Sequence, residues 1–180
     1  MLNILARILI LILFTAAGQT GISQTTGING NVYSYSYDST IYVSQIDSTY
    51  SGFYGLLADE TKQSGIKQPG TDEHYFVGAT NMITFKHVDT VYREFNAGIK
   101  QEVILIRFNR KGADEFAAFT GKNIRKKIGL IIKGRLVFAA MVHDKIISGE
   151  VIIANNSTQN EIIEIEQEIR RLIHNKPNRQ

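Results

Sequence analysis

VILIRFNRKGADEFAAFTGKNIRKKIGLIIKGRLVFAAMVHDKIISGEVIIA, residues 103–154, is the stretch that decides the fold. In its first six residues Ile104, Ile106 and Phe108 fall on one face of an extended chain, and Val103, Leu105 and Arg107 on the other, because strand side chains alternate. The first set is the better candidate for a face covered by helices. Over residues 112–126 the period becomes helical, with Ala113, Phe116, Ala117, Thr120 and Ile124 three or four apart; that spacing gives one apolar stripe facing a sheet. Asp114 and Glu115 fall in the expected first turn and Arg125, Lys126 and Lys127 at the end. A helix dipole favours that arrangement, so the basic triplet needs no nucleic-acid partner. Residues 128–132 and 136–142 read as apolar strands joined by a tight turn at Lys133, Gly134 and Arg135. Near-continuous hydrophobicity predicts that both are central in their sheet. After a polar turn at His143, Asp144 and Lys145, residues 146–154 read as one more strand, interrupted at Ser148 and Gly149.

On the N-terminal side, DTVYREF (89–95) and QEVILIRF (101–108) flank a turn whose Gly98 is the expected residue of positive φ. HYFVG (74–78) and MITFKHV (82–88) read as two separate short strands. Residues 48–72 mix Gly52, Gly55, Gly65, Pro69 and Gly70 with the patch FYGLLA and read as irregular, with at most one short element. In residues 32–43, Tyr33, Tyr35 and Tyr37 recur at period two before a polar break, then Ile41 and Val43 alternate with Tyr42; this predicts a hairpin. On the C-terminal side, Thr158 and Glu161 have capping-box spacing before a second amphipathic helix carrying Ile162, Ile165, Ile169 and Leu172 on its stripe.

The ends read differently. Residues 1–18 have one early Arg7, an apolar run over 8–14 and small residues Ala16, Ala17 and Gly18, the plan of a secretory signal peptide cleaved before Gln19. Residues 19–31 read as a flexible lead-in, 32–74 as a small β-rich segment, 75–175 as the main α+β domain and 176–180 as a frayed tail. The mature protein is expected in the periplasm or outside the cell.

Composition excludes several chemistries. The 180 residues include no Cys, which removes disulfides, thiolate metal sites and thiol nucleophiles. The net charge of +3 is too small to point to nucleic acid. Thr120, Gly121 and Lys122 do not form a phosphate loop, because Phe116 stands where that pattern needs glycine and Asn123 where it needs Ser or Thr. His74, His87, His143 and His174 lack metal-ligand spacing, and no GxSxG elbow is present. No catalytic, cofactor-binding or metal residue is assigned, and no enzymatic activity is expected.

The second half resembles the head subdomain of the first periplasmic domain of SecD, the accessory subunit of the bacterial protein-export translocase. Gly112, Ala113, Phe116, Ala117, Thr120 and Asn123 stand at the spacing of that family's helix, Gly134 at its glycine turn, and Ile146, Gly149 and Ile153 at its following Ile-Gly-Ile run. The chain departs from the family pattern at Arg125, usually Gly, at Lys133, usually Asp, and at Ala140, usually Pro. The resemblance covers about residues 75–173. It implies a ferredoxin-like α+β two-layer sandwich, an antiparallel sheet with two helices on one face plus a β-rich N-terminal extension. It also implies contact with emerging polypeptide, by a stand-alone head without the family's membrane channel.

The expected function is therefore binding of protein or peptide, linked to export or envelope assembly. Either a groove beside residues 136–145 or an exposed strand edge would serve, with Phe138, Met141, His143, Asp144 and Lys145 as the candidate contacts. Two alternatives stand beside it: a glycan-binding or hydrolytic module using Tyr33, Tyr35 and Tyr42, and a structural envelope subunit paired through the N-terminal hairpin.

Overall fold

A computed structural model describes residues 21–27, 30–37, 40–44, 47–154 and 158–174. The expected signal peptide and the tail lie outside the described residues. Eleven strands and two helices follow in the order β1 (Gly21–Gly27), β2 (Gly30–Tyr37), β3 (Thr40–Val43), β4 (Gly52–Ala58), β5 (Ile66–Lys67), β6 (His74–Thr84), β7 (Val88–Asn96), β8 (Gln101–Phe108), α1 (Arg110–Lys122), β9 (Lys127–Ile132), β10 (Arg135–Met141), β11 (Glu150–Ile153) and α2 (Gln159–His174). A single 3-10 turn, Phe85–His87, joins β6 to β7. The class is α+β, as the sequence predicts. All strand pairs are antiparallel and divide into two sheets, one in the order β1-β2-β3-β6-β4-β9-β10 with β5 beside β6, the other β11-β8-β7.

Local chemistry explains the ends of the elements. Asn109 caps α1, its side chain accepting from the Gly112 N–H at 3.0 Å. Thr158 and Glu161 form the expected capping box: the Thr158 N–H donates to Glu161 Oε2 at 2.7 Å and the Glu161 N–H to Thr158 Oγ1 at 3.4 Å. Between β9 and β10, Lys133 and Gly134 both take positive φ, 49° and 75°, the backbone that joins twisted strands in a two-residue turn.

One apolar core joins both sheets to both helices. Phe53 of β4, Ile104, Ile106 and Phe108 of β8, Phe116 and Phe119 of α1, Leu130 of β9 and Ile162 and Ile169 of α2 are all buried in it. The Phe116 ring stacks on Phe108 at 4.9 Å between centroids and meets Phe53 edge-on at 5.2 Å, geometries that aromatic quadrupoles favour. A smaller core on the opposite face of the large sheet holds Tyr54, Leu56, Tyr75, Val77, Ile131 and Leu136. The large sheet curls around it, bringing β5 close to β10 although three strands lie between them.

Several expectations give way to this topology. The patch FYGLLA, expected to be irregular, is a long strand, β4, between β6 and β9. Its glycines hid it: Gly52 has φ 156° and packs where a Cβ would meet the Ile83 carbonyl at 2.3 Å. The two short strands expected at 74–78 and 82–88 are replaced by one strand, β6, which has a register shift against β4 and ends at Thr84, with Phe85–His87 in the 3-10 turn and Val88 opening β7. Residues 21–27 of the expected lead-in pair along their whole length with β2; the ladder, rather than an apolar period, makes that strand. In the β7–β8 turn the positive φ falls on Lys100, at 55°, while the Asn96 side chain accepts from the N–H groups of Gly98 and Ile99. The first helix ends at Lys122, so Arg125–Lys127 is no dipole cluster and Lys127 belongs to β9. Residues 146–149 are not strand. Finally β10, expected in the middle, is the last strand of its sheet; its apolar content serves both cores, Leu136 one and Phe138 the other.

Candidate functional site

The five candidate contacts, Phe138, Met141, His143, Asp144 and Lys145, line one cleft of about 450 Å³. They come together because β10 ends at Met141 and the chain then turns across the end of the large core. Val142 is held against β9's lead-in by its N–H donating to the Lys126 carbonyl at 3.0 Å and its carbonyl accepting from the Arg125 N–H at 2.8 Å. Four residues on, the Ile146 N–H donates to Thr120 Oγ1 at 3.0 Å. Thr120 is fully buried in α1 and its hydroxyl also donates to the Phe116 carbonyl at 2.9 Å. The loop between is therefore tied at both ends, and His143, Asp144 and Lys145 are exposed along its crest.

The floor is apolar and rigid, made by Phe53, Phe116, Ile128 and Leu130. The far wall is β11, from Glu150 to Ile152. Met141 and Ile152 leave 44% and 48% of their surface to solvent on opposite sides, and Ile147 beside the loop leaves 76%, so the rim is apolar as well. The polar groups at the wall are already engaged: Glu150 Oε1 accepts from Arg107 Nε at 2.7 Å. Such a cleft favours an apolar, uncharged stretch of ligand.

Sequence reading missed the floor and the far wall. Phe53 lay in the glycine-rich patch, and Val151 and Ile152 arrive from a different sheet. The one available signal was the alternation of Ile152 against buried Ile153.

The residues matching the family helix have structural positions. Gly112 is where a Cβ would lie 2.6 Å from the His87 carbonyl oxygen, and Asn123 Nδ2 donates to the Phe119 carbonyl at 2.8 Å. Phe116 and Ile153 lie in the large core, against which Ala113 and Ile146 pack, and Ala117 is buried. Gly149, at φ 70°, lets the chain pass α1 where a Cβ would lie 2.8 Å from Ala113 Cβ.

Other polar clusters are internal. A second cleft of about 480 Å³ between the β9–β10 turn and α2 is bridged by Lys133 to Glu168 at 2.6 Å and Arg171 to Glu168 at 3.1 Å; the hydrogen bond from Lys133 holds the Glu168 carboxyl below its ordinary value. Tyr75 donates to Glu73 and accepts from Lys127. Burial, reinforced by Glu73, raises the Tyr75 hydroxyl above its ordinary value, so it stays protonated. Burial also pushes Tyr54 up to about 12. Tyr42, one ring of the alternative glycan platform, is buried; the side chains of Tyr33 and Tyr35 lie outside those described. Among the described residues no group of His, Cys, Asp or Glu could hold a metal ion, and no helix is long and apolar enough to cross a membrane.

The family model described as SecDF, P1 head subdomain, matches residues 60–170. The chain belongs to the SecDF P1 head family. Protein translocase subunit SecD of Magnetococcus marinus is 24% identical over 76 residues, which is 42% of this chain and 14% of that protein; the P1 head match is thus a small part of its relative's length. A solved structure of the membrane component SecDF that enhances protein export superposes with a TM-score of 0.53 at 19% identity, over 67% of this chain and 61% of that one. A structure of SecDF in a super-membrane-facing form gives 0.53 at 18%, over 67% and 18%. At such identities the structures show the fold, α+β with antiparallel sheets and two helices.

Proposed function

We propose that this chain is a non-enzymatic P1-head-like domain that binds unfolded protein or peptide in support of export or envelope assembly. After loss of residues 1–18 it would act in the periplasm or outside the cell. The observation that carries this reading is the meeting of Phe138, Met141, His143, Asp144 and Lys145 on one apolar cleft floored by Phe53 and Phe116. Family membership supports the link to export. The apolar floor supports a polypeptide ligand, because an unfolded chain exposes the side chains such a cleft would cover.

The test is binding of a fluorescently labelled, permanently unfolded model protein, compared with its native folded form. Saturable binding of the unfolded form alone is expected. Met141→Glu, at an exposed rim position that leaves the core intact, should weaken it about tenfold by placing a charge against apolar ligand. Equal binding of folded and unfolded forms, or none of either, would sink the proposal.

A further inference from the structure

The cleft is flanked by the ends of two sheets, and their edges differ. We infer that a bound segment is held as an added strand on β10, pairing through the main chain of Ala139 and Met141. This rests on the cleft being a polypeptide site and specifies how the polypeptide is held.

Main-chain direction alternates along an antiparallel strand. Val142 turns both its N–H and its carbonyl towards Arg125 and Lys126. Continuing the register back, Ala140 opposite Ile128 turns inward too, while Met141 and Ala139, opposite Lys127 and Gly129, turn their groups off the free edge of the sheet. That leaves two donors and two acceptors, two residues apart, beside an apolar cleft. The start of β10 is approached by β5 and Pro69, so the open length is the second half of the strand.

The edge of β11 is capped at its start. The Gly149 carbonyl accepts from the Phe108 N–H, so Gly149 turns towards β8 and its neighbour Glu150 turns away. Both outward groups of Glu150 are taken by one hydroxyl: Ser148 Oγ accepts from the Glu150 N–H and donates to the Glu150 carbonyl, each at 3.2 Å. A side chain that blocks an edge in this way prevents pairing there. At the cleft the β10 edge therefore offers the outward groups of two residues, Ala139 and Met141, whereas on the short β11 edge Glu150 is capped and only Ile152 still turns outward.

The ligand class follows. An added strand would be short, about four or five residues, without proline at the paired positions. Its apolar side chains would recur at every second residue, over Phe116 and Phe138, with polar ones on the opposite face.

The test places the change on the ligand, so folding of the protein is not at issue. A labelled peptide of about nine residues alternating valine and serine is compared with two isomers, backbone N-methylated on all its serines or on all its valines. One isomer should bind at least about tenfold more weakly, having lost the donors aimed at β10, and the other within about threefold of the parent. The weaker one is the serine-methylated form if the strand runs antiparallel, like every pair among the described strands. Amide exchange of Ala139 and Met141 should slow on binding, and that of Glu150 should not. If the two isomers bind alike, whether tightly or weakly, strand addition is wrong while the cleft remains a polypeptide site. If the parent peptide, the unfolded protein and their variants all fail to bind, the underlying reading falls and takes this inference with it.

Discussion

Arg125 occupies a left-handed backbone conformation, φ 62°, at the corner between α1 and β9. A residue with a Cβ pays about 1–2 kcal/mol there, and the exposed Arg125 side chain makes none of the ion pairs observed among the described residues. Arg125→Gly should therefore raise stability by up to about 1 kcal/mol, the gain being trimmed by the greater entropy of glycine in the unfolded chain; urea unfolding measures it. The sequence pattern flagged this position, since the resemblance drawn from it puts a glycine there. Nothing flagged Asp59, which is buried at the end of β4. Burial alone would raise its carboxyl, but the Thr61 hydroxyl and the N–H groups of Ser64, Gly65 and Thr61 all donate to it and bring it down to about 2 from 3.8. A depressed folded-state pKa adds stability that is complete above the unfolded value and disappears as pH falls from about 4 through about 2. Asp59→Asn should cost about 2 kcal/mol at neutral pH, and the gap from the native protein should close across that acid window in pH-dependent denaturation.

Elements were legible where one face is apolar and the other is not. Helix α2 shows the rule and its limit: Ile162 and Ile169 are buried as their spacing demands, yet Glu166 between them is buried as well. Burial opposes its charge, and Arg170 and Arg93, donating at 2.6 and 2.7 Å, outweigh that and hold the carboxyl below its ordinary value. Because Arg93 belongs to β7, this pair fixes the helix to the small sheet. Glu166→Gln should destabilise by about 1–3 kcal/mol, discounted for the partial exposure of both arginines, and the loss should be smaller when Arg93 is already alanine, because only the Arg170 pair then remains to be broken. Periodicity failed for β4 and β10 for opposite reasons. In β4 Gly52 stands where the backbone of β6 comes too close for a side chain. In β10 both faces are covered by different cores, which imitates a central strand. The candidate contacts were legible because five of them fall within eight consecutive residues; the floor and far wall were not, because only the tertiary fold brings Phe53 and Ile152 to them. The loop over the cleft depends on Thr120 in the same way. Thr120→Val keeps the shape of the side chain but leaves the Ile146 N–H without its acceptor. Stability should fall by about 1–2 kcal/mol, with amide exchange at Ile146 accelerating more than at Phe116.

At the scale of the molecule, the boundary of the family match and the boundary of the folding unit do not coincide. The match to the P1 head begins at residue 60, just after β4, yet β4 is the strand that joins β6 to β9 in the large sheet. It supplies Phe53 to the large core and Tyr54 and Leu56 to the small one. Cutting it away would expose two unpaired edges and open both cores at once, a loss far larger than the marginal stability of a domain this size. A fragment of residues 60–174 should therefore show no cooperative thermal transition, whereas residues 47–174, which retain β4 and the Asp59 loop, should unfold in a single one. Strands β1 to β3 extend the sheet outward from β6 and contribute Tyr42 and Val43 near its edge, so their loss should lower the midpoint without abolishing it. If residues 60–174 instead fold cooperatively with native-like amide protection in β6 and β9, those two strands would have to pair without β4. The present order of the large sheet would then be incorrect.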